Sequence, residues 1–368
     1  MLNQLEANMR KTVFILGLGI VAVMTSCTPD SEQKTDNFDR GLILKQAADS
    51  LILPSFHTFS VAATTLDEQV TQFNKEPSQT NLTSLRSAWL NARLQWKACE
   101  PFKFGPIENM GLTNAMDIWP ADTAGVSTSV KNYDGKDSYL LKVGSDKKGF
   151  SAIEYLIFGN ADDKVLTTFE DSNRRAYLKL LSADLVDNID TIIDAWKNGY
   201  ADSFQSNDGN DAGAGSTLLA NELIHQIEVT KNFRVSTPLG SRTGSSTPLP
   251  DKLESPFALK SKELLLASLD ATQTVFTGGN GQGFDDYLDA LGIIDDNGKL
   301  LSEKINEQIA LCKADAEALN GSMKDALESN KDAVTKLYVD LQQLTLLIKT
   351  EMMSQLGLLV VFSDNDGD

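Results

Sequence analysis

Apolar residues step through this chain by threes and fours, and that spacing is the strongest constraint on its fold. It gathers them on one face of a helix and would scatter them over both faces of a strand. The clearest stretch is Ile305, Ile309, Cys312, Ala316, Leu319, Met323 and Leu327, with steps of four, three, four, three, four and four. It predicts one continuous stripe in which Cys312 is a small core hydrophobe. Val334, Leu337, Leu341, Leu344, Ile348 and Met352 repeat the pattern after a polar break at 329–331, as two antiparallel helices of a bundle would. Similar spacing runs from about 38 to 73 and from 82 to 100. No stretch sustains strand alternation, so the expected fold class is all-α: two tandem helical bundles resembling four-helix bundles. Residues 205–216, rich in Gly, Asp and Asn, cannot continue a helix. The expected domains are therefore an N-terminal bundle at 38–204, a linker at 205–216 and a C-terminal bundle at 217–368.

The N-terminus reads as an address. Arg10 and Lys11 precede an apolar run over 13–24, the length of a signal-peptide core and too short to span a bilayer. The run ends at Met24-Thr25-Ser26-Cys27, which resembles the lipobox of bacterial lipoproteins. That resemblance implies a signal peptide at 1–26, acylation of Cys27 and a tether at 27–37. The chain would then be held in the cell envelope by lipid, on the outer membrane of a Gram-negative bacterium.

Charge removes one class of partner. With 33 basic and 51 acidic residues the chain carries −18, which repels phosphate backbones, so no nucleic-acid partner is expected. Its three cysteines are too far apart for a metal or redox pair, and two histidines are few for a zinc enzyme. Neither the glycines at 278–283 nor any other segment forms a nucleotide-binding loop.

The residues able to carry chemistry cluster in the first half. Arg86, Trp89, Arg93, Trp96 and Glu100 share one helical face, a polar set that an ordinary core face would not present. It suits either tryptophans packed beside arginine stems or a polar interface with a ligand pocket. Asp117 and Trp119 follow in a segment ending at Pro120, and Ser151 and Glu154 fall one helical turn apart. In the second half His225 shares a face with Asn221 and Glu228, and could offer an imidazole to the first half; His57 reads as structural.

The runs WLNARLQWKACEPFKFGP (89–106), MDIWP (116–120) and GFSAIEYLIFG (149–159) resemble the imelysin-like family of envelope proteins. DKLESPFA (251–258), GGNGQGFDDYL and the terminal LGLLVVFSDNDGD (356–368) continue the resemblance in order along the chain. Membership would imply two helical bundles related by duplication, a site at their interface and an envelope setting. Family members are classed as peptidases through a Gly-x-His-x-x-Glu motif, and iron-regulated relatives suggest metal or ligand acquisition. Gly149 and Glu154 match that motif, while Ser151 stands at the histidine position. A serine hydroxyl neither ligates a transition metal well nor shuttles protons near neutral pH, which argues against hydrolysis.

The expectation is thus a lipid-anchored protein that binds a metal ion, an iron compound or another small ligand between its bundles, in iron or nutrient uptake. Arg93, Glu100, Asp117, Trp119, Ser151 and Glu154 are the expected ligand-binding residues. Glu100 and Glu154 are the expected oxygen donors to iron or another divalent or trivalent cation. A metallopeptidase and a non-catalytic scaffold for an envelope protein partner are the competing readings.

Overall fold

The structure, a computed structural model, describes residues 37–295 and 297–361. The expected signal peptide, Cys27, the tether up to residue 36 and the acidic C-terminal run lie outside the described residues. Among the described residues the chain is all-α; its one β feature is an isolated antiparallel bridge between Ile294 and Leu300.

Four helices of the first half pack together: α1 (Leu53–Lys75), α2 (Gln79–Cys99), α3 (Gly149–Phe158) and α4 (Ser172–Ala195). The second half contributes α5 (Gly215–Val229), α6 (Ser261–Phe276), α7 (Leu301–Ala318), α8 (Met323–Ser329) and α9 (Lys331–Thr345). The ends follow local chemistry. The side chain of Ser78 accepts from the N–H of Asn81 at the start of α2, and Asp171 does the same for Asn173 at the start of α4. Pro101, which has no N–H to donate, lies in the 3₁₀ turn Glu100–Phe102 that follows α2.

The stripe expected to be continuous from Ile305 to Leu327 is divided between two helices. α7 stops at Ala318, Gly321 takes a φ of 69°, and Ser322 and Asp325 form a capping box that starts α8. Every stripe residue is nevertheless buried, and Cys312 is fully so. Lys336 pairs with Asp315, Gln308 donates to the Asp340 carbonyl at 2.8 Å, and Lys304 meets Glu351 at 3.5 Å. Partners that descend in number on α7 as they rise beyond residue 331 show the two elements to be antiparallel.

Between α4 and α5, Asn207 closes a turn by accepting from the N–H of Gly215 and donating to the carbonyl of Gly213. The two halves do not fold apart around it. α6 lies along α2, and the described residues of Asn37–Asp368 form one compact unit. Burying charged groups where these helices meet requires a partner for each charge, and this is where the site arises.

Candidate functional site

α2 lays its polar face against α3. Trp89 donates its indole N–H to the carbonyl of Phe150 at 3.1 Å, and Arg86 donates to the carbonyl of Ile157 at 2.8 Å. Gly149 opens α3 at a φ of +68°, and a Cβ there would stand 2.1 Å from the carbonyl oxygen of Met116. Only glycine allows that approach, which brings the Met116–Asp117 backbone onto the N-terminus of α3.

Arg93 then sits among four partners. Its guanidinium donates to Glu154 at 3.0 Å, to Asp117 and the carbonyl of Glu254 at 3.1 Å each, and to the Ser151 hydroxyl at 3.5 Å. One turn further along α2, Lys97 donates to Glu100 at 2.8 Å, to Asp117 at 2.9 Å and to Glu254. Trp96 donates to the second Asp117 oxygen at 3.1 Å. From the second half comes Arg234, on a π-type turn (Thr230–Ser236) continuing α5, a distortion often found at functional positions. It donates to Glu100 at 2.6 Å, to Glu254 at 2.8 Å and to the Thr230 hydroxyl at 2.9 Å. Ser268 of α6 donates to the remaining Glu100 oxygen at 3.0 Å.

Four carboxylates thus face three cations in the interior, the most exposed being Asp117 at 8%. Burial alone would raise Glu100, but Arg234 and Lys97 outweigh it and hold the carboxyl well below its usual range. Lys97 and Arg93 likewise outweigh burial at Asp117 and lower it. At Glu154 burial wins over Arg93 and the backbone N–H groups, and the carboxyl is raised. Lys97, Arg93 and Arg234 are all raised despite burial by the acids around them.

The structure brings the expected residues Arg93, Glu100, Asp117, Ser151 and Glu154 into this network. Trp119 lies against it, its ring centroid 5.6 Å from the Lys97 ammonium and 5.2 Å from the Arg234 guanidinium. The carboxylates that converge differ from the expected pair. Glu100, Asp117 and Glu254 each offer an oxygen, all within 4.8 Å of one another. Glu154 stands outside that trio. Its Oε1 accepts from the Ser255 hydroxyl at 2.9 Å and from the N–H groups of Phe257 and Ala258 at 3.0 and 2.9 Å. Hard oxygen donors suit iron, but Lys97 holds an ammonium proton toward each member of the trio, where a cation would stand. The donor set as folded therefore does not fit a bare metal ion.

Sequence reasoning missed Lys97, Glu254 and Arg234. Lys97 had a signal, four positions after Arg93 and three before Glu100; Glu254 lies in the DKLESPFA block without a periodicity to single it out. His225 is half-buried, with Nδ1 3.2 Å from Glu222, and His57 is exposed. Asn221 has a different task, donating to the carbonyl of Leu359 at 2.7 Å and accepting from Val361 at 2.9 Å.

Above the network lies a cleft of about 400 Å³. Its lining takes Asp117, Ile118, Trp119 and Pro120 from the first half and His225, Val229 and Phe233 from the second. It joins both halves of the chain and has the size of a small-molecule site.

A family model described as Imelysin matches residues 52–349. Iron-regulated protein A of Synechococcus elongatus is 26% identical over 258 residues, which are 67% of this chain and 66% of that protein. The matched region therefore spans just under two thirds of that relative's length. Among solved structures, one described as an iron-regulated protein A precursor from Parabacteroides distasonis superposes with a TM-score of 0.74 at 16% identity, covering 86% of this chain and 95% of that one. An imelysin-like protein from Psychrobacter arcticum gives 0.70 at 18% identity, covering 88% and 97%. At these identities the two structures show a shared fold.

Proposed function

The chain belongs to the imelysin family, and from that premise we propose that it is an envelope lipoprotein of bacterial iron acquisition that captures a small ligand between its two halves without cleaving peptides. The observation that carries this reading is the contact between cleft and network. A 400 Å³ cleft opens onto Asp117 and Trp119, and behind them side chains from both halves are locked into one set of ion pairs. Such a floor is rigid, because moving any member would strand a buried charge. A rigid, largely apolar recess with a few placed polar groups is what ligand capture requires.

The hydrolytic alternative lacks its chemistry. Ser151 stands where the family motif carries histidine, is buried, and accepts from the Arg93 guanidinium at 3.5 Å. Among the described residues no carboxylate or imidazole accepts from that hydroxyl, so no base is placed to take its proton. Attachment to the membrane falls to acylated Cys27 in this reading; among the described residues no helix is long and apolar enough to cross a bilayer. The iron-regulated relatives supply the connection to iron.

The test is recovery of the protein from its own envelope without denaturant, followed by solvent release and mass spectrometry with iron analysis. A stoichiometric small molecule retained by the wild type and lost from Trp119→Ala is expected. An empty cleft, or chelator-sensitive cleavage of casein, overturns the proposal.

A further inference from the structure

We infer that the cleft selects an organic anion with a flat apolar body, an aromatic carboxylate or catecholate taken up free or as its ferric chelate. This inference rests on the cleft being the capture site and adds the charge and shape of what is captured.

The carboxylate in the lining is unable to receive a cation. One Asp117 oxygen accepts from Arg93, and the other from both Trp96 and Lys97. The charges at the rim are positive instead. Lys103 makes no hydrogen bond or salt bridge among the described residues, and its field acts on buried Glu100. Lys252 is exposed and meets Asp251 at 3.6 Å. In a chain of 51 acidic residues, two lysines around a cleft whose own acid is saturated mark a local reversal of sign. Repulsion by the chain's overall charge is screened within about 10 Å, so these nearby lysines decide the sign a bound ligand meets.

The body of the ligand is read from the walls. Trp119 and Phe233 present rings, with Ile118, Pro120 and Val229 beside them. Phe233 is 46% exposed, with the Arg242 guanidinium 4.9 Å from its ring centroid. Lys97 and Arg234 already stand against the Trp119 ring, drawing its electron density. A ring so depleted stacks well on an electron-rich anionic ring, whereas a cationic ligand would meet like charge behind it.

The test uses 2,3-dihydroxybenzoate, its ferric complex, neutral catechol, cationic dopamine and ferrous ion alone as probes in calorimetry. Trp119 adds a second readout. The other three tryptophans are fully buried, so acrylamide quenching of emission reports access to this cleft. Dihydroxybenzoate or its ferric complex is expected to bind at least tenfold more tightly than dopamine or ferrous ion, and to shield Trp119. Lys103→Gln with Lys252→Gln is expected to abolish that preference while leaving catechol unchanged, and Lys103→Arg to retain it. Because Lys252 is exposed, Lys252→Gln alone serves if the double variant misfolds, with a smaller loss in the same direction. Binding of the free acid identifies the organic anion itself as sufficient; binding of the ferric complex alone identifies the chelate. Dopamine or catechol binding as tightly as the acid overturns the charge assignment while leaving capture intact. Failure of every probe to shield Trp119 overturns this inference, and together with an empty native protein it overturns the capture site as well.

Discussion

Arg234 donates to Glu100 at 2.6 Å across 134 positions of the chain, with neither side chain more than 2% exposed. The same guanidinium also holds Glu254 and Thr230. Removing one member of a buried pair leaves the other charge without water or counterion, a loss of about 3–5 kcal/mol. Arg234→Met is therefore expected to lower the unfolding free energy measured in urea by an amount in that range. The double variant with Glu100→Gln should lose less than the two single losses combined, because it leaves fewer stranded charges. A loss below about 1 kcal/mol, the range of an exposed pair, would show that water reaches the network.

Lys97 occupies the centre of the carboxylate trio, and replacing it separates two roles that the fold combines. In Lys97→Met the oxygens of Glu100, Asp117 and Glu254 keep their 4.8 Å grouping but lose the ammonium that neutralises them. Three hard donors in that arrangement resemble a site for an oxygen-loving cation. The variant is expected to be less stable than wild type and to regain melting temperature on addition of calcium or terbium, with wild type unmoved. Equal cation responses would mean that Lys97 does not exclude metal from the trio.

The sequence announces the helices and half of the network, and the division has a physical origin. Burial on one face of a helix leaves a period, so α2, α7 and α9 could be read from spacing, and Arg93 and Glu100 could be read with α2, while Glu154 came from its place in the family motif. Asp117 came from its aromatic and proline neighbours. Glu254 and Arg234 left no such trace. Glu254 belongs to an irregular segment, and Arg234 lies on a π-type turn that departs from helical spacing, so their pairing exists only in the folded chain. The division of the 305–327 stripe was hidden for the opposite reason. Gly321 and the Ser322 cap interrupt the backbone while the apolar side chains on either side stay in the core.

Acid should dismantle the network from Glu100 and Asp117. Both carboxyls are held below their ordinary values of 4.5 and 3.8, so the stability they contribute is complete above those values. It is lost as pH falls through the lowered folded values, since the unfolded chain takes up protons first. The urea midpoint is expected to drop steeply below about pH 4.5. In Arg234→Met the drop should be smaller and end at higher pH, because Glu100 loses the guanidinium that lowers it most. Superimposable acid limbs in the two proteins would remove Arg234 as the cause.

Asp285 offers the reverse dependence at a distance from the network in sequence. It lies in the first turn of Phe284–Leu291, partly buried and close to Asp286 and Asp289, and burial foremost raises its carboxyl to about 6. A folded value above the ordinary 3.8 means that stability declines as pH rises from 3.8 to about 6 and stays reduced above it. Asp285→Asn removes the charge while keeping an oxygen to accept from the N–H of Asp286, now made at 3.0 Å. The shift alone would correspond to about 3 kcal/mol, but solvent screens a half-exposed group, and the helix N-terminus favours a negative charge. A gain of about 0.5–1 kcal/mol at pH 7.5 remains after those two corrections. Below pH 3.8 the carboxyl is protonated in both states, so the variant should gain nothing there. Paired urea titrations at pH 7.5 and 3.5 measure the difference. A gain of equal size at both would trace the effect to packing, and a loss at pH 7.5 would show the helix end to outweigh burial.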